Sequence, residues 1–295
     1  MPTMRALLGV GGPGRVGLAS IDPRSTPGLP PRDVTGDRKA WAAAELEQLW
    51  PDLGRQQEML FASAKADPGN RRRVLVVLQA MDCGGKDGSI KGLVRAMNPL
   101  GLKIKSFGPP TGQERAEHFL ARIRRAVPVP GQVGVFNRSH YEDVLVARVE
   151  SLVPETTWRG RYEEINQFER DLVADGTTLV KVMLHISYEE QRERLLKRLD
   201  DPRKHWKYNP ADIDARRRWD DYQAAYAEAL TRCSTPDAPW YVVPADRKWY
   251  RDWALARLLG EAFADLHLSY PAATFDVDRE RRRLLEDVRL RDAAA

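Results

Sequence analysis

Short, mostly apolar runs recur along this chain at 73–78, 102–107, 132–136, 179–186 and 240–243. Their lengths suit strands, and the unbroken Val74-Leu75-Val76-Val77-Leu78 suits a strand covered on both faces, as parallel strands are. Stretches of helical character separate them, near 86–98, 112–125, 140–152, 159–174, 188–199, 211–232 and 246–264. A further one at 37–65 carries Pro51 as an expected kink. Strand alternating with helix predicts an α/β fold, a parallel five-stranded sheet flanked by helices. Ser187 and Glu190 have capping-box spacing, Asn209-Pro210 suits an N-cap and first turn, and Pro99 closes the helix that begins near 86. Residues 1–36 are rich in Gly and Pro and lack periodicity, which predicts a flexible N-terminal arm, disordered or laid over the surface. The main domain then spans 37–270, and 271–295 is expected as a helical tail. Its charged stretch at 277–292 is either a solvated face or an oligomer contact.

Composition narrows the class. Of 295 residues, 42% are hydrophobic, enough for a sizeable core, and 30% are charged, which suits a soluble protein. A net charge of +5 and a pI near 9.2 fit an anionic partner without choosing among polyphosphate, nucleotide and nucleic acid. The two cysteines, Cys83 and Cys233, have no metal-type spacing, so a reducing, cytoplasmic setting is expected and a disulfide framework is not. No apolar run approaches a membrane span, and Met1–Ala19, broken by Gly11, Gly12, Pro13 and Gly14, does not read as a signal peptide.

Candidate chemistry starts where the first apolar run ends. Ala80-Met81-Asp82-Cys83-Gly84-Gly85-Lys86-Asp87-Gly88-Ser89 is a glycine-rich turn leading from a strand into a helix. A helix N-terminus attracts anions through free N–H groups, and Lys86 adds a mobile point charge. With Gly84, Gly85, Gly88 and Ser89 this reads as a phosphate-binding loop, although Ala80 replaces the first glycine of G-x-x-x-x-G-K-[ST] and Asp87 its final Ser/Thr. The alternative is an ordinary strand–helix turn with a surface lysine. A carboxylate inside a phosphate cradle is repelled by its ligand unless a cation lies between them. Mg²⁺ takes one or two carboxylates plus phosphate oxygens and waters, so Asp82 is a candidate metal ligand, or else a turn aspartate. Cys83 reads as small neutral filler, with a thiolate favoured by Lys86 as the other option.

The third strand runs out into Phe136-Asn137-Arg138-Ser139-His140-Tyr141-Glu142-Asp143. Ligands of wound α/β sheets bind at the carboxyl ends of strands, which places this run beside the loop. Arg138 can hold phosphate oxygens bidentately. Asn137 occupies the position of a metal-assisting aspartate. Glu142 and Asp143 are either metal or nucleotide contacts or acids favoured at a helix start. Residues 197–222 form a basic connection after the fourth strand, where a lid would sit to exclude water and bring arginines to the transferred group. Arg203, Lys204 and Lys207 lie in it; Arg216 shares a face with Trp219 and is expected to point inward, whereas Arg217 and Arg218 read as solvated. His140 and His205 are expected as anchors, and Trp206 and Tyr208 as lid packing or as base stackers.

These runs carry a resemblance. Leu78–Lys91, Phe136–Val146, Leu199–Pro202 with His205–Pro210, Trp219–Tyr222 and Ala238–Tyr250 resemble the polyphosphate kinase 2 family, most closely the subgroup acting on both nucleoside mono- and diphosphates. The resemblance covers residues from about 20 to about 265. It implies a P-loop kinase fold with a mobile helical lid, Mg²⁺, and reversible in-line transfer of the terminal phosphoryl group of inorganic polyphosphate to ADP/AMP or GDP/GMP. It further implies that Asp82 is the loop aspartate that carries Mg²⁺, Lys86 the loop lysine, Arg138 the arginine after the Walker-B-like residue and Arg216 the lid arginine. Lys204 and Lys207 match basic lid positions along a polyphosphate channel, and Asn137 and Glu142 match the dual-acceptor subgroup. Two positions depart: Ala80, where glycine is common, and Ala121, where tryptophan is usual and whose change is expected to loosen packing beside the acceptor pocket. A homo-oligomer is expected; nucleic acid and membrane are not expected as partners, since RNA-binding and helix-turn-helix patterns are missing. The alternative function is an ATP-dependent small-molecule kinase on the same fold.

Overall fold

The computed structural model describes residues 2–11, 14–95 and 97–294, with side chains described through residue 287; Met1, Gly12, Pro13, Ala96 and Ala295 lie outside the described residues. In chain order its strands are β1 (Gly9–Val10), β2 (Arg73–Ala80), β3 (Leu102–Ser106), β4 (Val133–Asn137), β5 (Thr177–His185) and β6 (Trp240–Pro244). The helices are α1 (Met4–Leu8), α2 (Arg32–Thr35), α3 (Arg38–Ala66), α4 (Lys86–Leu93), α5 (Gly112–Ala116), α6 (Ala121–Ala126) and α7 (Glu142–Val149). They continue with α8 (Glu155–Ala174), α9 (Tyr188–Leu199), α10 (Ala211–Arg217), α11 (Trp219–Cys233), α12 (Lys248–Ala264) and α13 (Val277–Ala294).

The sheet order is β1-β6-β5-β2-β4-β3. β2 is central, hydrogen-bonded to β4 on one side and β5 on the other, and all eight of its residues are buried. That is the physical meaning of its unbroken apolar run. The parallel register aligns Leu78 with Asn137 and Ala80 with Leu184, so β2, β4 and β5 run out at one edge. The loop after β2 and the polar run after β4 therefore emerge side by side.

The sheet has six strands rather than the five expected. The sixth is β1, antiparallel to β6 through Gly9–Tyr241 and Val10–Trp240. It comes from the N-terminal arm, expected as disordered or laid over the surface, and the arm is laid over the body. Met4, Leu8, Leu18 and Leu29 are buried, the Met4 and Arg5 N–H groups donate to the Glu261 carboxylate at 2.7 and 3.0 Å, and the Tyr250 hydroxyl donates to the Pro27 carbonyl at 2.8 Å. Those four apolar residues are spaced too irregularly to show a period, yet each fills a gap in the body's surface. Other boundaries moved as well. α4 ends at Leu93 rather than near 98, 112–125 divides into α5 and α6, and 211–232 breaks at Arg218 into α10 and α11. Pro51 sits within the continuous α3. The Ser187 cap is present, its hydroxyl accepting from Glu190 N at 3.1 Å, and Asn209 Oδ1 accepts from Ala211 N at 3.1 Å.

A charged cluster lies inside the core under β4 and β5. Lys181 is fully buried in mid-β5; its ammonium donates to Glu169 at 2.5 Å, to the Cys233 carbonyl at 2.7 Å and to the Tyr141 hydroxyl at 3.0 Å. Tyr141 donates in turn to Glu169 at 2.8 Å, and His140 Nε2 lies 3.2 Å from the same carboxylate. The cluster pins the segment immediately after Arg138. Among the described residues no helix is long and apolar enough to cross a membrane.

Candidate active site

The loop after β2 is shaped by what surrounds it. A Cβ on Gly84 would fall 2.4 Å from the Ala80 Cβ, so the alanine there demands glycine four residues on. Gly85 has φ +104°, and a Cβ on it would lie 2.0 Å from Nη1 of Arg251, the guanidinium that also backs Gly88. Side chains from two helices, α4 and α9, take up the loop carbonyls: Lys86 Nζ donates to Ala80 O at 2.9 Å, Gln191 Nε2 to Asp82 O at 3.0 Å and Arg194 Nη1 to Cys83 O at 2.9 Å. With the carbonyls held, the N–H groups of the first turn of α4, which have no intrahelical acceptor, are left for an anion.

The loop forms the floor of a cleft of ≈ 670 Å³. Nine Lys and Arg side chains and five Asp line it. Asp82 and Arg138 form an ion pair at 2.8 Å, and Arg138 lies 3.7 Å from Glu142 on its far side. A second, small cavity of ≈ 40 Å³ opens beyond that pair, walled by Glu142, Leu145, Val146, Ala215, Tyr222 and Tyr226. Asp82 and Arg138 line both spaces.

Electrostatics follow the geometry. Burial pushes the Lys86 ammonium below its ordinary value, against the pull of Asp82. Burial raises the Glu142 carboxyl, against Arg138 and Lys86. Burial, and then the charge of Asp82, raise the Asp212 carboxyl across the cleft. The Cys83 thiol is pushed up to about 11, chiefly by burial, so it is the neutral filler rather than a thiolate. Among the described residues no group of three or more His, Cys, Asp or Glu stands ready to hold a metal unaided. Mg²⁺ needs only one or two carboxylates when phosphates and waters complete its shell. Asp82, 30% exposed between two cavities and repelling Asp212, fits that requirement.

Of the residues singled out from sequence, Asp82, Gly84, Gly85, Lys86, Gly88, Asn137, Arg138, Lys204 and Lys207 all line the large cleft. Asn137 Nδ2 donates to Asp87 at 2.9 Å, and Lys204 sits 2.9 Å from Asp201. Glu142 faces the small cavity instead. Two residues are placed elsewhere. Ser89 is buried with its hydroxyl donating to Gly85 O at 3.1 Å. Arg216 lines neither cavity: its guanidinium lies 3.2 Å over the Tyr188 ring and donates to Tyr188 O at 2.6 Å and Gln191 Oε1 at 3.0 Å. Trp219, on the next helix, packs on the same tyrosine, so the two residues meet at Tyr188 rather than along one helix face. His140 is a buried anchor on Glu169, and His205 Nε2 lies 2.8 Å from Leu199 O. Trp206, expected as lid packing or as a base stacker, is 78% exposed with the Lys207 ammonium 4.8 Å above its ring. Ala121 lines neither cavity.

Sequence reasoning missed Arg194, Lys248 and Arg251. Each contacts the loop or lines the cleft from a helix far along the chain. A signal existed for two of them. Arg194 follows Gln191 by one turn on the buried face of α9, and Arg251 stands among Tyr250, Trp253 and Ala254 on the buried face of α12. A charge on a buried helical face requires a partner.

Comparison with known proteins gives a consistent result. The family model described as polyphosphate kinase 2 matches residues 46–268. The chain is 46% identical over 258 residues, 88% of its length and 92% of the relative's, to an AMP/ADP-polyphosphate phosphotransferase of Meiothermus ruber. It is 40% identical over 242 residues, 78% of its length and 81% of the relative's, to an ADP-polyphosphate phosphotransferase of Rhodopseudomonas palustris. The crystal structure of polyphosphate kinase 2 from Arthrobacter aurescens superposes with a TM-score of 0.90 at 46% identity, over 97% of both chains.

Proposed function

The chain belongs to the polyphosphate kinase 2 family, and from that premise we propose that it transfers the terminal phosphoryl group of inorganic polyphosphate to a nucleoside mono- or diphosphate, reversibly and with Mg²⁺. The observation that carries this reading is the Asp82–Arg138 pair, which stands between a large cationic cleft and a small tyrosine-walled cavity. The cleft suits the phosphate chain of the donor, and the small cavity marks where the acceptor approaches. An oxygen of the acceptor's terminal phosphate bonds to the donor's terminal phosphorus as the bond to the rest of the chain breaks. The donor leaves one unit shorter.

Such transfer depends on positioning and charge stabilisation rather than covalent help. The first-turn N–H groups of α4 and Lys86 hold the donor phosphates, with Gly84, Gly85 and Gly88 giving close backbone approach. Lys204 and Lys207 hold the chain farther out, and Arg138, reached from both sides, spans donor and acceptor. Mg²⁺ on Asp82 would supply neutralisation of the phosphate charge. Arg216 joins this machinery as a lid-borne residue once it leaves Tyr188, Glu142 sets the acceptor side, and Asn137 stands at the cleft beside Arg138. A cytoplasmic, homo-oligomeric enzyme is part of the same proposal.

The test is purified protein with polyphosphate, Mg²⁺ and each of AMP, ADP, GMP and GDP, products resolved by chromatography, with ATP plus small metabolites in parallel. Expected is nucleotide product one phosphate longer that requires polyphosphate. Turnover with ATP and none with polyphosphate would overturn the reading.

A further inference from the structure

A second cavity, of ≈ 600 Å³, shares the start of α12 with the large cleft. Lys248 and Arg251 line the cleft, while their neighbours Arg247 and Trp249 line the second cavity. The rest of its wall comes from the N-terminal strap and the start of α3: Arg24, Arg32, Arg38 and Lys39, with Asp37 as the sole acid. The Asp37 carboxylate is occupied, accepting from Lys39 N at 2.8 Å and Ala40 N at 3.2 Å as the cap of α3. Arg24 lies 3.4 Å from Asp246, but Arg32, Arg38, Lys39 and Arg247 form no ion pair among the described residues. Nε of Arg38 is buried without a hydrogen-bond partner. Cations gathered round a concavity repel one another and focus a positive potential into it. An anion relieves that repulsion.

The two spaces lie on either side of a shared wall. Arg194 of the cleft donates to the Asp246 carbonyl at 3.1 Å, and the Asp246 carboxylate faces Arg24 of the second cavity. At that wall burial, and then the charges of Arg194 and Arg251, lower the Lys248 ammonium below its ordinary value.

We propose that this basin holds the distal part of a long polyphosphate chain whose reacting end lies in the large cleft. The inference rests on the donor reading above. A linear polyanion can occupy both spaces at once, and the second contact is then intramolecular, gained only by chains long enough to span them. The N-terminal strap thus builds a chain-length selector onto the fold.

The experiment is the double variant Arg32→Gln/Lys39→Gln, two exposed side chains with no described hydrogen bond. KM is measured with size-fractionated long-chain and short-chain polyphosphate in the full-length protein. Direct binding of the long-chain fraction, with Mg²⁺ and no nucleotide, is measured alongside. The loss of two exposed ionic contacts of ordinary strength should raise KM and Kd for the long chain roughly fivefold, with the short-chain KM and both kcat values unchanged. An unaltered long-chain Kd overturns the inference while leaving the donor reading intact. An equal rise for both donors, or a shift in nucleotide KM alone, overturns it as well. Should the protein fail to turn over any polyphosphate, the donor reading falls, and the binding comparison still decides the basin.

Discussion

Lys86 shows how burial and chemistry are reconciled in one side chain. The residue is buried, with its ammonium tied to Ala80 O at 2.9 Å and depressed by burial, yet it lines the space where phosphates would lie. Lys86→Ala should lower kcat by about 10³-fold, the scale of losing one charge-stabilising donor, while the thermal melt stays cooperative. Near-normal turnover in that variant would remove the loop from the mechanism. Glu142 makes a pH-dependent prediction. Burial raises its carboxyl above the ordinary range, so its ionised form is costlier in the folded than in the unfolded state. Its contribution is therefore most favourable below the ordinary carboxylate range and is lost as pH rises through the folded value. Glu142→Gln should lose less melting temperature between acidic and neutral pH than the parent, and an identical decline in the two would contradict the buried placement. Asp82, Lys86 and Arg138 were legible because their chemistry is written in contiguous motifs. Arg194 and Arg251 were not, because the loop residues they touch, Cys83 for one and Gly85 and Gly88 for the other, lie more than a hundred residues away; only their position on buried helical faces hinted at them.

At the level of elements, the segment that carries Arg138 is held by β5 and α8. Glu169 is buried with Lys181 and His140, which together overcome burial and keep its carboxyl below the ordinary range. Stability from a lowered carboxyl is present above the ordinary range and lost as pH falls through the folded value. Glu169→Gln leaves Lys181 buried without its counter-charge, which should cost about 3–5 kcal/mol in denaturant unfolding and flatten the acid limb of the stability profile. A loss under about 1 kcal/mol would show that the cluster is not an ion pair in solution. None of this was readable from sequence: Lys181 interrupts an otherwise apolar run, and Glu169 lies in a helix rich in exposed charges. The parallel strands were readable, since burial on both faces leaves an unbroken apolar signature. The break at Arg218 was not, because Arg216-Arg217-Arg218 have good helix propensity and only the backbone turn between α10 and α11 ends the first helix. An arm laid over the surface was one of the two expectations, but its strand and its anchors Met4, Leu8, Leu18 and Leu29 were not readable, because glycines and prolines leave them without a period.

At the scale of the whole molecule, a net charge of only +5 understates the field a phosphate chain would meet. The cleft collects nine cations against five aspartates, and the adjoining basin five against one, while acidic residues balance arginines over much of the remaining surface. Charge is therefore segregated rather than abundant, and segregation has a measurable consequence. A linear polyanion bound by such a surface releases counterions, as single-stranded nucleic acid does, so affinity falls as a power of salt concentration. If about four phosphates are neutralised without an internal acid in competition, the slope of log affinity against log salt is about −3, and a fourfold rise in salt weakens donor binding roughly 60-fold. The nucleotide acceptor carries fewer charges and meets Arg138 as its main cation, so its KM should move far less over the same range. At saturating donor, kcat should hold, because the charges that act on the transferred group are shielded from bulk ions by the bound chain. A donor KM indifferent to salt would mean that recognition does not run through this cationic surface, whatever reaction the loop performs.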